Sequence, residues 1–261
     1  MRSLKATLLS LGVVLLVWQL AVTLLAPPPF MLPAPARVAQ TLLDRHALLL
    51  RESLVTLAEI VLGLVAGVAA GVLAGFTTVA WPLWGRLAWP VLLVLQAMPV
   101  FALAPVLVLW FGFGLASKVV MVALILFFPI ASSFADGLRR TDPDLLDATA
   151  MTEATPLRAL VHVRVPLALP SLVSGLRVAA PLAPLGAVIG EWVGASGGLG
   201  FVMIQANARM QTDLVFAALA LLAAATLLLR ILVDRFAPLL VPWSHETAGP
   251  FALLPSTGTR R

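Results

Sequence analysis

Six runs of about 20 mostly apolar residues recur along this chain, at 6–26, 54–80, 87–111, 119–137, 172–194 and 214–233. That is the length a helix needs to cross the ~30 Å hydrocarbon core of a bilayer. Inside hydrocarbon, a chain satisfies its backbone polar groups only in helices or closed barrels, so such runs leave few folds open. The composition agrees: 61% of residues are hydrophobic, 11% are charged and the mean hydropathy is +1.04. A soluble domain has about 45–50% apolar and about 25% charged residues. A soluble enzyme, a disordered chain and a nucleic-acid-binding domain are therefore excluded. The expected fold is an all-α polytopic membrane helical bundle with six transmembrane helices. It forms one domain over 1–243, followed by a cytoplasmic tail at 244–261 expected to be disordered. Arg2 and Lys5 precede the first run as in a signal peptide. The run is too long for that role, and Pro27, Pro28 and Pro29 stand where a cleavage site would be, so it is read as a span.

Charge sets the expected orientation. With the N-terminus inside, twelve of the seventeen Lys and Arg residues fall on the inner side, among them Arg86, Arg139, Arg140, Arg158 and Arg164. Arg37, Arg45, Arg51, Lys118 and Arg209 fall outside. Short cytoplasmic loops concentrate positive charge, so both termini are expected in the cytoplasm of a bacterial cell, with the chain multi-pass in its inner membrane. The same rule accounts for the net charge of +5 without a nucleic-acid partner. Cysteine is absent, and His46, His162 and His245 show no ligand spacing, so no metal site is expected. No phosphate-loop motif occurs, and the chain is expected to bind no cofactor of its own.

The inner loop at 138–171 is the longest and most charged. Thr141 or Asp142 can cap a short helix, Pro143 suits its first turn, and Asp144 and Asp147 favour its positive end. A turn near Glu153 leads through Thr155 and Pro156 into a second helix with Leu157, Leu160 and Val161 on one side. Pro166 and Pro170 are expected to break that helix before the fifth span. The outer segment at 27–53 is Pro-rich and reads as extended at its start; the one at 195–213 opens on a Gly-rich turn expected to be flexible. Gly63, Gly67, Gly71 and Gly75 form a ridge that lets another helix approach, more often within the same subunit than across a dimer. Glu59 and Glu191 are carboxylates within spans, which makes them functional candidates. A carboxylate accepts hydrogen bonds from the N–H groups of an aminopyrimidine. Gln96, Met98 and Phe101 flank the Pro99 kink and are further candidates for a substrate path.

At this point the chain resembles a family. Counting back from Pro166 places Val165, Val163, Glu153 and the triplet Asp147, Ala148, Thr149 on the E-A-A-x3-G-x9-I-x-L-P pattern of the permease subunits of bacterial ABC importers. Glu153 stands where that pattern has Gly, the residue for which a left-handed turn is free of strain. The segments 103–114 (Leu-Ala-Pro through Trp-Phe-Gly-Phe-Gly) and 169–177 (Leu-Pro through Gly-Leu-Arg) resemble the nitrate/sulfonate/taurine branch. The segments 184–200 and 207–214 are most similar to permeases for hydroxymethylpyrimidine, a thiamine precursor. The resemblance implies a transport subunit and no enzyme. It implies a permease homodimer in the lipid bilayer, an ABC ATPase subunit dimer that binds ATP and Mg, and an extracytoplasmic substrate-binding protein. It implies an ATPase-docking loop built from Asp147, Ala148, Glu153, Leu157, Leu160, Val161, Val163 and Pro166.

Import of sulfonate, taurine, nitrate or riboflavin by the same machinery is the alternative. The rival from another class is an intramembrane serine protease, since Gly194-Ala195-Ser196-Gly197 resembles the rhomboid nucleophile motif. That chemistry needs a histidine at membrane depth, and no span contains one. A channel or structural subunit would leave a docking loop without a motor.

The charge split predicts that a reporter active only outside the cytoplasm is active when fused near Pro35 and silent after Arg140. Activity after Arg140 reverses the orientation.

Overall fold

The computed structural model describes residues 2–243, with side chains in the first helix described at Leu9 and from Gly12 onward; His245 and the tail lie outside. The described residues are helical, with no strand. The elements are α1 (Arg2–Leu25), α2 (Pro35–Asp44), α3 (His46–Ala80), α4 (Pro82–Ala97), α5 (Val100–Phe111), α6 (Leu115–Arg139), α7 (Pro143–Ala150), α8 (Pro156–Gly194), α9 (Leu199–Ala208) and α10 (Thr212–Leu240). Four of them, α3, α6, α8 and α10, are long and apolar enough to cross a membrane. The bent pair α4 and α5 makes a fifth if taken as one span.

The bundle is organised on one face of α3. Gly63, Gly67, Gly71 and Gly75 are buried, and α6 lies directly on them. A Cβ added at Gly67 would sit 3.0 Å from Leu126, one at Gly71 2.8 Å from Ile130, and one at Gly75 2.9 Å from the Ala131 carbonyl. The ridge thus packs within its own subunit, where backbone contact replaces side-chain interdigitation. On the other side of α6, Gly175 receives Ser133 and Gly137 receives Ser171, which brings α8 equally close. Ile60, Val122, Leu126, Ile130, Ala183 and Leu229 close the centre, joining α3, α6, α8 and α10.

Three expectations change. The run 87–111 is not one helix: α4 and α5 meet at 100°. Pro99 offers no N–H and holds Met98 extended, at φ −69° and ψ 136°. The limbs of 16 and 12 residues are each shorter than a full crossing. Conversely, Pro166 and Pro170 do not break the chain before the fifth span, and α8 runs unbroken for 39 residues. A widened π turn at Leu160–Arg164, closed by the Val165 N–H on the Leu160 carbonyl, precedes Pro166 and leaves that proline in a first-turn position. The Gly-rich outer segment, finally, leads into a ten-residue helix, α9.

Gly71→Leu is expected to destabilise the purified protein by about 1–3 kcal/mol through overpacking against Ile130. Gly12→Leu, with nothing within 4 Å of the added Cβ, should leave the thermal midpoint unchanged. Equal midpoints for both variants in detergent would contradict the α3–α6 seam.

Candidate functional site

The buried face of α3 does not begin with glycine. Toward its N-terminus it carries Glu52, Thr56 and Glu59, at spacings of four and three that stack on one side of a helix. All three are buried, at 8%, 1% and 3% exposure. Glu191, near the C-terminus of α8, is 1% exposed and meets them. The Thr56 hydroxyl donates to Glu191 Oε1 at 2.6 Å and accepts from the Leu199 N–H at 2.8 Å. The Gly198 N–H donates to Glu52 Oε2 at 2.6 Å, and the Gly200 N–H donates to Glu191 Oε2.

The logic is that of a helix start. The first N–H groups of α9 have no partner within the helix, and its N-cap residue, Gly198, has no side chain to supply one. Side chains from α3 and α8 supply the acceptors instead, and negative charge suits the positive end of the α9 dipole. The glycines make room for them. Gly198 has φ +101°, and a Cβ there or at Gly200 would collide with the Glu191 carboxylate. The outer Gly-rich turn is therefore pinned, which corrects the expectation that it is flexible.

Lys118, 3% exposed, faces the same cluster from α6. Its ammonium donates to the carbonyls of Phe113 (2.5 Å), Gly114 (2.9 Å) and Gly194 (2.6 Å). Three donors meet three acceptors, so Lys118 ties the start of α6 to the end of α8 and has no donor left for a ligand. Glu59 is different. It lies beside Glu191 and Lys118, yet its Oε2 atom is buried without a hydrogen-bond partner among the described residues. Glu59 lines a crevice of about 270 Å³ together with Glu52, Phe113, Lys118 and Ser196. The arrangement places a carboxyl group, itself in contact with Glu191, in the wall of a crevice large enough for a small molecule.

Of the expected path residues, Glu59 and Glu191 are brought together, whereas Gln96, Met98 and Phe101 lie exposed around the α4–α5 break and do not line the crevice. Glu52, Thr56 and Lys118 belong to the cluster and were not singled out from the sequence. The i, i+4, i+7 register of Glu52, Thr56 and Glu59 running into the glycine ridge was the available signal. Ser196 has no general base beside it: His46 and His162 contact the Leu43 and Arg158 carbonyls in their own segments and line no part of this crevice. No group of residues that could hold a metal exists among the described residues.

The inner loop forms the second feature. In α7 no residue is buried, and Asp142 caps it by accepting the Asp144 N–H at 3.0 Å. Glu153 adopts φ +55°, the left-handed turn for which Gly would be strain-free. Thr155 caps the start of α8 by accepting from Arg158 N at 3.4 Å. Leu157 and Val161 are exposed at 56% and 42%. Asp147 and Ala148 are also exposed, and Val163 and Pro166 are half-buried. Leu160 departs from its expected place: it packs into the chain's own core with Phe134, Leu138 and Ala168. Leu145 and Met151, 45% and 87% exposed, stand out on the free surface instead.

Residues 67–245 match the family model for the binding-protein-dependent transport system inner membrane component. The chain is 47% identical, over 87% of its length and 93% of the relative's, to a "Probable ABC transporter permease protein" of Haemophilus influenzae. It is 41% identical to the riboflavin transport system permease protein RibX of Chloroflexus aurantiacus, covering 90% of this chain and 88% of the relative. It is 32% identical to the formylaminopyrimidine transport permease protein ThiX of Halalkalibacterium halodurans, covering 94% and 98%. Among solved structures, an inward-facing MetNI methionine ABC transporter chain shares the fold, with a TM-score of 0.67 and 22% identity over 76% of this chain and 98% of that one.

Thr56→Val removes the hydroxyl's hydrogen bonds and leaves the Leu199 N–H and a Glu191 oxygen buried without that partner. The expected loss is about 1–3 kcal/mol, with faster hydrogen exchange at the Leu199 amide, while Thr56→Ser stays close to the parent. Unchanged exchange in Thr56→Val would show that α9 is not held by α3.

Proposed function

Since the chain belongs to the binding-protein-dependent transport system inner membrane component family, and is thus an ABC importer permease subunit and not an enzyme, we propose that it imports a small, neutral, N–H-bearing heterocycle of the hydroxymethylpyrimidine kind. Both termini lie in the cytoplasm, two copies enclose the path, and a binding protein delivers the substrate on the outer side. The loop at 138–171 docks on an ATPase dimer that holds ATP and Mg, through Asp147, Leu157, Val161 and the neighbouring Leu145 and Met151. What supports the docking role is that α7 buries nothing in its own subunit while the helix after it continues unbroken into the fifth span.

The observation that carries the substrate class is the Glu59 carboxyl in the wall of a crevice where Lys118 and Glu52 are already committed to backbone partners. Glu52 and Glu59 line the crevice with Lys118, and Arg51 joins them with a side chain that is 83% exposed. The carboxyl oxygens accept hydrogen bonds, which suits a donor-bearing heterocycle better than the anionic head of a sulfonate, taurine or nitrate. The transport of a formylaminopyrimidine by one relative favours the pyrimidine; riboflavin, transported by another, also carries a ring N–H and is the second reading.

The test is uptake into vesicles containing the permease, its ATPase and its binding protein. Hydroxymethylpyrimidine should accumulate and taurine should not. Glu59→Gln replaces an acceptor oxygen with a donor, and uptake should fall about tenfold, the equivalent of about 1.4 kcal/mol, with the ATPase still co-purifying. Taurine uptake, or unchanged pyrimidine uptake in Glu59→Gln, would refute the assignment.

A further inference from the structure

The corner where α3 passes into α4 contains a cleft used neither by the Glu59 crevice nor by the docking loop. It has a volume of about 460 Å³. Val79, Pro82 and Pro90 form its apolar wall, and Arg86, Trp89 and Arg139 face them. The corner is tight because Gly85 rests against the Thr78 carbonyl, and any side chain at 85 would overlap it. Around the corner Trp81, Leu83, Trp84 and Leu87 are all more than half exposed. Tryptophan is enriched at the depth where headgroups meet hydrocarbon.

The two arginines are held differently. The Arg139 guanidinium, in the last turn of α6, lies 4.8 Å from the centre of the Trp89 ring, which fixes its plane at the cleft. Its nearest carboxylate, Asp136, is 3.9 Å away, and the two side chains are 43% and 55% exposed, so solvent weakens that pair. Arg86 makes no ion pair or hydrogen bond among the described residues. Two guanidinium groups therefore converge on one cleft against one loosely paired carboxylate, beside an apolar wall. A second, largely apolar trough of about 520 Å³ shares Thr78 and is lined by Leu73, Trp84 and Leu92.

We propose that this cleft binds the headgroup of an anionic phospholipid. The phosphodiester oxygens lie between Arg86 and Arg139, and an acyl chain lies along the apolar surface of α3 and α4. Guanidinium groups match the planar, two-oxygen geometry of a phosphate ester. Basic pockets between helices at a membrane surface are the setting in which a fixed lipid is retained. In the orientation proposed above the site belongs to the cytoplasmic leaflet. A lipid there would lodge the α3–α4 corner against the end of α6, and so brace the α3–α6 seam from outside. A free phosphate ion satisfies the charges but leaves the apolar wall and the trough uncovered.

The experiment uses the full chain with its ATPase, reconstituted in phosphatidylcholine bilayers doped with brominated phosphatidylglycerol or brominated phosphatidylcholine. Bromine quenches tryptophan at contact, and Trp89→Phe isolates the signal of the cleft. Brominated phosphatidylglycerol should quench the Trp89 component at a lower mole fraction than brominated phosphatidylcholine. Arg86→Gln should reduce that preference about fivefold, and Arg86→Gln with Arg139→Gln about thirtyfold, from roughly 1 kcal/mol per basic residue near an anionic surface. Inorganic phosphate at millimolar concentration should change nothing. Equal quenching by both lipids, a preference that survives both substitutions, or displacement by inorganic phosphate would each overturn the proposal. Should the double variant fail to fold, Arg86→Gln alone decides, since Arg86 is exposed. The readout does not involve transport, so it stands or falls apart from the substrate assignment.

Discussion

The direct contact of the α3 backbone with α6 is the constraint on which the other placements depend. Between helices in hydrocarbon, association comes from close packing rather than from water release. Four glycines let α6 lie on the α3 backbone over three turns. Residues N-terminal to them on the same face are then carried to the same depth of burial, and they happen to be polar. The cluster of Glu52, Thr56 and Glu59 is thus an extension of the seam. Its cost in desolvation is offset because the start of α9 brings N–H donors to it and Glu191 of α8 accepts from Thr56. Lys118 extends the principle: an ammonium buried by the same seam is matched to three carbonyls.

Much of this was legible in the residues. Apolar run length located α3, α6, α8 and α10, since hydrocarbon thickness imposes it. The Gly ridge pointed to a partner within the subunit, and Asp142, Thr155 and Glu153 occupy the caps and the left-handed turn expected from the loop pattern. The failures share a cause. Pro99 bends its run by 100°, whereas Pro166 and Pro170 are absorbed. A proline removes a hydrogen bond from a helix interior but none from a first turn, so the outcome depends on where a neighbouring turn widens or restarts. Leu160 shares a helix side with Leu157 and Val161, but a periodic pattern does not say which part of an apolar stripe is taken by the chain's own core. The Gly-rich segment looked loose because its acceptors lie 146 and 143 residues away, on α3.

The site and the loop occupy opposite ends of one element. Pro156 opens α8 beside the exposed α7, and Gly194 closes it within the polar cluster. An importer needs events at its motor to reach the side where substrate enters, and here the covalent path between them is a helix without a gap. The π turn sits near the loop end, and the tightened turn at Ala180–Leu182 lies in the middle. Both keep the hydrogen-bonded chain continuous past prolines that would otherwise interrupt it.

Leverage follows from that continuity. At about 1.5 Å per residue, a rod of 39 residues is roughly 58 Å long. A rocking motion of about 5° around its midpoint carries each end through about 2.5 Å. Hydrogen bonds of 2.6 Å, such as that from Thr56 to Glu191, do not stretch so far. The far end of α8 cannot swing gradually away from α3. It either stays seated with those hydrogen bonds intact or leaves with them broken.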